Sequence, residues 1–496
     1  MIRSKGFVAL VGAGPGDAGL ITLRGRDLLA AADCVVYDRL VGDGVLAMMP
    51  PEAVKINVGK TGGGNFVPQD EINEILVREA EKGQMVVRLK GGDPFLFGRA
   101  GEEIEALNAK GIPFEVVPGV TSALGGLACA GIPVTHRVDA RSLHIITAHT
   151  KEGGLARLDY EALARLGGTL IFMMGASAVR EICSELIKAG MPSETPAAAV
   201  ESASTAAQRL FTGTLGTLAS LCEKGGLHSP ALITVGKTTA FAASFAWKKF
   251  LPLSGRKIIV TRPRERAGKL SAMLRARGAE VVEAPCIATR RIKADLPDLS
   301  KYGWLGFTSV TGVEAFFALL AENGRDIRSA GAAKIAAIGP ATAAALKERG
   351  LLTDYMPEVY DGAHLACGLA DLVKEKPLLM LRAKEGSPEL TEELAARHVK
   401  FTELPVYETY FERPEVIPQG ADAAVFTSAS TVRGFKAAMP GLEVPCACCI
   451  GVQTAEEAKR AGFKNIVTAK KATLESLTEA LEEIYHDNTP EKTEKE

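Results

Sequence analysis

The sequence predicts an α/β protein built from two consecutive domains, the second of two similar lobes, and three observations point there. Short β-branched runs alternate with amphipathic helical stretches along nearly the whole chain, the pattern that builds parallel or mixed sheets covered by helices. The pattern breaks at 247–255 and then restarts. The part after the break repeats itself at an offset of about 120 residues, as the arithmetic below shows. The 496 residues also exceed one ordinary core, since ~150 residues per domain gives about three. With 47% hydrophobic and 24% charged residues, there is ample apolar surface for those cores, which excludes wholesale disorder.

Strands are expected at Phe7–Val11, Cys34–Tyr37, Met85–Leu89, Phe114–Val117, Leu143–Thr147 and Thr169–Met173, with helices at Gln69–Lys82 and Gly101–Lys110 between them. The WKKFLPLSG segment combines a basic pair, a proline and a glycine, and a new strand starts at Lys257–Thr261. The expected division is therefore a first domain over 1–247, a linker over 248–255, a second domain over 256–485 and a disordered tail over 486–496. Within the second domain Phe307-Thr308-Ser309 matches Phe426-Thr427-Ser428, at 426 − 307 = 119. Ile338-Gly339 matches Ile450-Gly451 at 450 − 338 = 112, and Arg262 matches Arg382 at 382 − 262 = 120. Two copies predict two similar lobes, with a cleft between them where a ligand sits.

Charge and cysteines narrow the function. The 58 Lys+Arg against 59 Asp+Glu leave a formal charge of −1, so no basic field exists for nucleic acid and no nucleic-acid partner is expected. No apolar run reaches ~18 residues, so no membrane partner is expected either. The N-terminus runs straight into a strand without a signal peptide's apolar region, and nine scattered cysteines suit a reducing compartment; a cytoplasmic protein is predicted. Cys446, Cys448 and Cys449 cluster, but no second Cys/His pair stands at zinc-finger spacing; buried thiols beside a strand outweigh a metal site, and no metal is expected.

The candidate site residues of the first domain follow strand ends. Gly12-Ala13-Gly14-Pro15-Gly16-Asp17 mimics a dinucleotide fingerprint. The third glycine falls on Asp17, however, whose carboxylate would oppose a pyrophosphate, and Pro15 removes an amide donor. Asp38-Arg39, Gly59-Lys60, Arg88-Leu89-Lys90-Gly91-Gly92-Asp93 and Pro118-Gly119-Val120-Thr121-Ser122 also follow strands, where ligands of open α/β sheets bind. Each loop alone would be an ordinary turn. Several in succession, four of them pairing glycine with a charged or hydroxyl residue, shift the balance toward a site.

These segments, with VVYDRLV, VVRLKGGDPFLFGR, GIPFEVVPGVTSA, AGIPVTHR, MMG, QRLFTGTL and PALITVG, resemble uroporphyrinogen-III C-methyltransferase from about Gly6 to Trp247. The resemblance implies the tetrapyrrole methylase fold, S-adenosylmethionine as methyl donor in a cleft between two lobes, and a homodimer formed through this domain. The implied reaction methylates uroporphyrinogen III at C2 and C7, giving precorrin-2 through precorrin-1. Matched to the family's motif, Pro15, Gly91, Gly92, Asp93, Leu96, Thr121, Ser122 and Met174 contact the donor. So does Ala203, which stands in ESAST where the family usually has glycine. Asp38 matches a proton acceptor and Lys60 a proton donor. A polycarboxylate substrate needs cations, and Arg39, Arg88, Arg99 and Arg137 are candidates. Asn65 stands where many relatives carry histidine.

In the second domain, FTS, IGPAT and IGVQT put hydroxyls and amides at strand ends, with helices expected to open at Thr342 and Thr454. Such termini either bind carboxylates or are plain N-caps. VTRP at Val260–Pro263, the two FTS motifs, IGPAT and LPVYET at Leu404–Thr409 resemble uroporphyrinogen-III synthase over about Gly255 to Tyr485. The resemblance implies cyclisation of hydroxymethylbilane with inversion of ring D, with Tyr407 assisting loss of the hydroxyl. Arg262, Thr308, Ser309, Thr427, Ser428 and Thr454 are candidates for holding carboxylates. A bifunctional enzyme of tetrapyrrole substrates is expected. Because no nicotinamide-dependent segment precedes Gly6, precorrin-2 oxidation and iron insertion are expected of other proteins. The rivals are methylation of a later precorrin, a second domain that only binds tetrapyrrole, and a nucleotide-dependent oxidoreductase.

Overall fold

A computed structural model of the chain describes residues 6–59, 67–148, 158–386 and 388–486. Their contacts define two compact units: one runs to Pro285 and resumes at Pro414, and the other is Cys286–Arg413. No helix among the described residues is long and apolar enough to cross a membrane.

In the first unit, β1 (Phe7–Gly12), β2 (Cys34–Tyr37), β3 (Val54–Asn57), β4 (Met85–Lys90) and β5 (Phe114–Val117) form a sheet in the order β3-β2-β4-β1-β5. All four pairings are parallel. Helices cover both faces, so β1 reads as a continuous apolar run rather than an alternating one. Its period of two still operates: Ala9 and Val11 enter one core, and Val8 and Leu10 the other. A mixed sheet follows, built from β6 (Leu143–Thr147), β7 (Thr169–Met173), β8 (Pro196–Glu201), β9 (Arg209–Thr214) and β10 (Ala231–Val235) in the order β6-β7-β10-β8-β9.

The break at 247–255 is packed, not free. Trp247–Phe250 makes one 3₁₀ turn, Leu253 is fully buried beside Ile258, Leu274 and Leu481, and its N–H donates to Arg277 O at 2.9 Å. Beyond it come β11 (Lys257–Val260) and β12 (Glu280–Glu283). The second unit then supplies β13 (Ile287–Arg291), β14 (Trp304–Phe307), β15 (Lys334–Ala337), β16 (Leu378–Ala383) and β17 (Phe401–Phe411). The chain returns to the first unit with β18 (Ala423–Phe426), β19 (Cys446–Cys449) and β20 (Ile466–Thr468).

The repeat read from the sequence is structural. The order β12-β11-β18-β19 of one sheet matches β17-β16-β14-β15 of the other, all parallel in both. Ser309 and Ser428 are equivalent N-caps, with φ of −166° and −167°. Gly339 and Gly451 both sit at φ −172°, ψ 176°. The helices therefore open two residues earlier than expected, at Pro340 and Val452. Thr342 and Thr454 become third helical residues, each only 4% exposed.

None of the nine cysteines, all among the described residues, is in a disulfide. Cys446, Cys448 and Cys449 lie buried along β19, and the Cys448 thiol donates to Leu477 O. Burial pushes all three thiols up, Cys449 to about 12. At pH 8, iodoacetamide should therefore label exposed Cys367 rapidly and these three only after denaturation. Rapid labelling of the three in the native protein, read by peptide mass mapping, would contradict their burial.

Candidate active site

In the order β3-β2-β4-β1-β5 the connections after the neighbouring strands β4 and β1 lead to opposite sides of the sheet, and ligands of open parallel sheets bind at such a switch point. Here the loops after β1, β4 and β5 touch. Gly14 and Gly92 exchange backbone hydrogen bonds of 3.2 and 2.8 Å. A Cβ on Gly12 would lie 2.5 Å from Gly119 Cα, and one on Gly119 would collide with the Gly92 carbonyl oxygen. Gly92 also sits at φ +70°, which side chains rarely adopt. Asp93 ties the turn: Oδ1 accepts from the N–H groups of Phe95 (2.9 Å) and Leu96 (3.2 Å), and Oδ2 accepts from Gly119 N–H at 3.0 Å.

Above these loops lies a cavity of about 1060 Å³. All nine positions matched to methyl-donor contacts line it: Pro15, Gly91, Gly92, Asp93, Leu96, Thr121, Ser122, Met174 and Ala203. Met174 takes φ +58° and stands exposed toward it. At the ESAST segment the left-handed residues are Ser202 (φ +45°) and Ser204 (φ +71°), which flank Ala203. Ser204 Oγ accepts from Asp17 N–H at 3.1 Å, joining this segment to the first loop.

Asp38 ends β2 with a side chain 30% exposed, and its partner is Arg88 rather than neighbouring Arg39. Arg88 Nη2 donates to Asp38 Oδ1 at 2.7 Å, and its Nε donates to Glu103 at 2.9 Å. Lys90, two residues along the same face of β4, donates to the same Glu103 oxygen at 2.8 Å. Arg88, Lys90 and Glu103 are all buried. Burial pulls the Arg88 guanidinium down, but Asp38 and Glu103 more than offset it and leave it raised. Burial, then the charge of Arg88, holds Lys90 below the usual lysine range.

Arg88, expected to meet a substrate carboxylate, is thus corrected. It is 2% exposed, its guanidinium nitrogens are all engaged within the fold, and its role is to hold Asp38. Arg39 is exposed and lines the cavity. Arg99 is held bidentately by Glu102 at 2.8 and 2.7 Å, and Arg137 is exposed; neither is among the described residues lining the cavity. Lys60 and Asn65 lie outside the described residues.

The second set of candidates divides between the units. In Cys286–Arg413, half-buried Thr308 and Ser309 follow β14, and Ser309 Oγ lies 2.9 Å from the Tyr407 hydroxyl, with Tyr407 itself 9% exposed. In the first unit, Thr427 and Ser428 follow β18, and Ser428 caps Thr431 N–H at 3.3 Å. Thr454 is corrected as a surface contact, since helix packing buries it. Arg262 has no carboxylate at ion-pair distance among the described residues; burial and then nearby Arg266 lower its pKa. Its repeat counterpart Arg382 is instead neutralised by Glu403 at 2.9 Å. An unneutralised, half-buried guanidinium is suited to an anion.

Sequence reasoning missed Glu103 and Lys90 as part of this machinery. The signal was present: cations at i and i+2 on an otherwise apolar central strand require a buried anion, and GEE opens the next helix, Ala100–Ala109.

A two-lobed glycine-loop site joined to a duplicated α/β domain defines a bifunctional enzyme of tetrapyrrole biosynthesis, and comparison with known proteins agrees. Residues 8–219 match the model for tetrapyrrole (corrin/porphyrin) methylases, and residues 268–479 that for uroporphyrinogen-III synthase HemD. The porphyrin biosynthesis protein HemD of Ruminiclostridium josui is 45% identical over 97% of this chain and 99% of its own length. The chain belongs to this family of proteins, with a methyltransferase domain followed by a uroporphyrinogen-III synthase domain. A siroheme synthase of Escherichia coli O1:K1 is 50% identical over 49% of this chain, which spans about half (52%) of that relative's length. A solved uroporphyrin-III C-methyltransferase of Thermus thermophilus, complexed with S-adenosyl homocysteine, is 41% identical over 47% of this chain and 99% of its own, at a TM-score of 0.42.

Replacing Arg88 by Met would leave Glu103 and Asp38 without their shared cation. The first domain should lose roughly 3–5 kcal/mol of stability. Calorimetry of its unfolding transition checks this, and an unchanged transition would contradict the cluster's role.

Proposed function

We propose that the chain catalyses two consecutive reactions: cyclisation of hydroxymethylbilane to uroporphyrinogen III with inversion of ring D, then methylation at C2 and C7 to precorrin-2 through precorrin-1. The observation that carries the methylation half is the convergence of nine donor-matched positions, drawn from five separate segments, on one cavity. S-adenosylmethionine, the proposed donor, supplies an electrophilic methyl group. The residues fit it: close-packed glycine loops offer backbone groups, and Met174 and Leu96 offer apolar contact. Asp38, fixed by Arg88 and open to solvent, takes the proton released from the methylated ring. Lys60 remains the proposed proton donor from its motif alone. Arg39 meets a substrate carboxylate at the cavity edge. A homodimer through the first domain is proposed on the resemblance, and light scattering at twice 52.3 kDa tests it.

For cyclisation, Tyr407 donates a proton to the departing hydroxyl, oriented by Ser309 through their 2.9 Å hydrogen bond. Arg262, Thr427 and Ser428 in the first unit are proposed to hold side-chain carboxylates, as is Thr308 in its own unit, so that positioning favours the inverted product. The enzyme is proposed to work in the cytoplasm, in keeping with nine cysteines that form no disulfide.

Purified protein given hydroxymethylbilane and S-adenosylmethionine without oxygen should yield a dimethylated type III product, read by chromatography and mass. Type I products alone would remove the cyclisation, and an unmethylated product the methyl transfer. Tyr407→Phe should slow inverted closure on the order of 100-fold while methylation of supplied uroporphyrinogen III continues. A loss under twofold would exclude the tyrosine as proton donor.

A further inference from the structure

The donor cavity is not walled by the methyltransferase domain alone. Gly255, Lys257 and Glu280, together with Gln419, Gly420 and Asp422, all beyond the break, line the same cavity as Gly91–Asp93 and lie within the same compact unit. Polar contacts fasten this wall. Lys257 Nζ reaches Asp43 Oδ2 at 2.6 Å and Glu280 Oε1 at 3.5 Å, and Glu280 Oε2 accepts from Ala206 N–H at 2.7 Å. Arg264 Nη1 donates to the carbonyls of Ala47 (3.1 Å) and Met49 (3.2 Å), at the end of the helix Asp43–Leu46.

Asp43 is the important partner because of what precedes it. The segment 38–43 carries Asp38 and Arg39, and it is short and internally tied, with Val41 N–H donating to Asp38 O at 3.3 Å. A Cβ on Gly42 would collide with Gly16 O, so the segment is also pressed against the first glycine loop. Its start is held by Arg88 through Asp38, and its end by Lys257 through Asp43. The first clamp lies within the segment matched to the methylases, 8–219, and the second comes from β11, beyond the break, which pairs with β12 and β18 of the segment matched to the synthase, 268–479. Lys257 is only 14% exposed and meets two carboxylates, which makes it a fixed strut rather than a wandering surface cation.

The geometry points to Lys257, from the synthase side of the break, as a positioning residue for methyl transfer: by gripping Asp43 it sets the segment bearing Asp38 and Arg39. The inference rests on the proposed roles of those two residues. It makes methylation dependent on docking of the neighbouring domain, with no residue of that domain taking part in the chemistry.

The test uses the full chain with supplied uroporphyrinogen III. Lys257→Met and Asp43→Asn should each lower the kcat of methylation at least about 5-fold, because a small misplacement of a reacting group is costly. The double variant should be no worse than the poorer single one, and Lys257→Arg should keep most of the activity. Affinity for S-adenosylhomocysteine by calorimetry should stay within about twofold, since Gly92, Asp93 and Thr121 are held by other contacts. Singles within twofold of the parent chain, or a double loss equal to the product of the singles, would overturn the proposal. So would a loss that tracks a fall in melting temperature and is not recovered by Lys257→Arg. Absence of methylation by the parent chain would sink the underlying functional reading instead, so the two failures are told apart.

Discussion

The structure depends first on a contact between backbones. At the carboxyl ends of β1, β4 and β5, Gly12, Gly92 and Gly119 approach so closely that no side chain fits between them. This contact holds together the loops whose Gly14, Gly91 and Gly92 line the cavity, where a ligand can approach the backbone closely. It explains why the strand-end segments must be read together: Gly12 and Gly119 are required by the neighbouring loops, and Gly92 by its own turn at φ +70°. Asp93 then fixes the arrangement by accepting three backbone N–H groups.

Beneath that floor, a group of two cations and two carboxylates is almost entirely removed from water. Such a cluster is tolerable because it is neutral overall and hydrogen-bonded, and it stabilises little compared with apolar packing. Its effect is geometric. Arg88 is anchored by Glu103 and therefore presents a rigid guanidinium to Asp38, the one member open to solvent. The cluster thus has a hard interior and one carboxylate open to solvent.

Much of this was legible in the sequence, for identifiable reasons. Strands such as Cys34–Tyr37 and Thr169–Met173 were placed to the residue because burial on both faces makes short, continuous apolar runs. The duplication was visible because FTS and the Ile-Gly pair occupy matching strand-end positions, where cap geometry constrains residue type. Three things were not legible. Arg88 looked like a surface cation because its counter-charge, Glu103, lies fifteen residues on in another element. Thr454 looked like the opening of a helix, but Val452 and Gln453 precede it there, a difference a motif does not encode. Lys257 gave no signal, since its partner Asp43 is 214 residues away and only the tertiary fold joins them.

The central claim is that touching glycine loops form the methyl-donor site, and Gly119→Ala tests it most directly. The variant adds one methyl group, which would meet the Gly92 carbonyl. Titration calorimetry with S-adenosylhomocysteine should then show binding by the parent chain and none by the variant, with circular dichroism unchanged. Equal affinity in a folded variant would contradict the account.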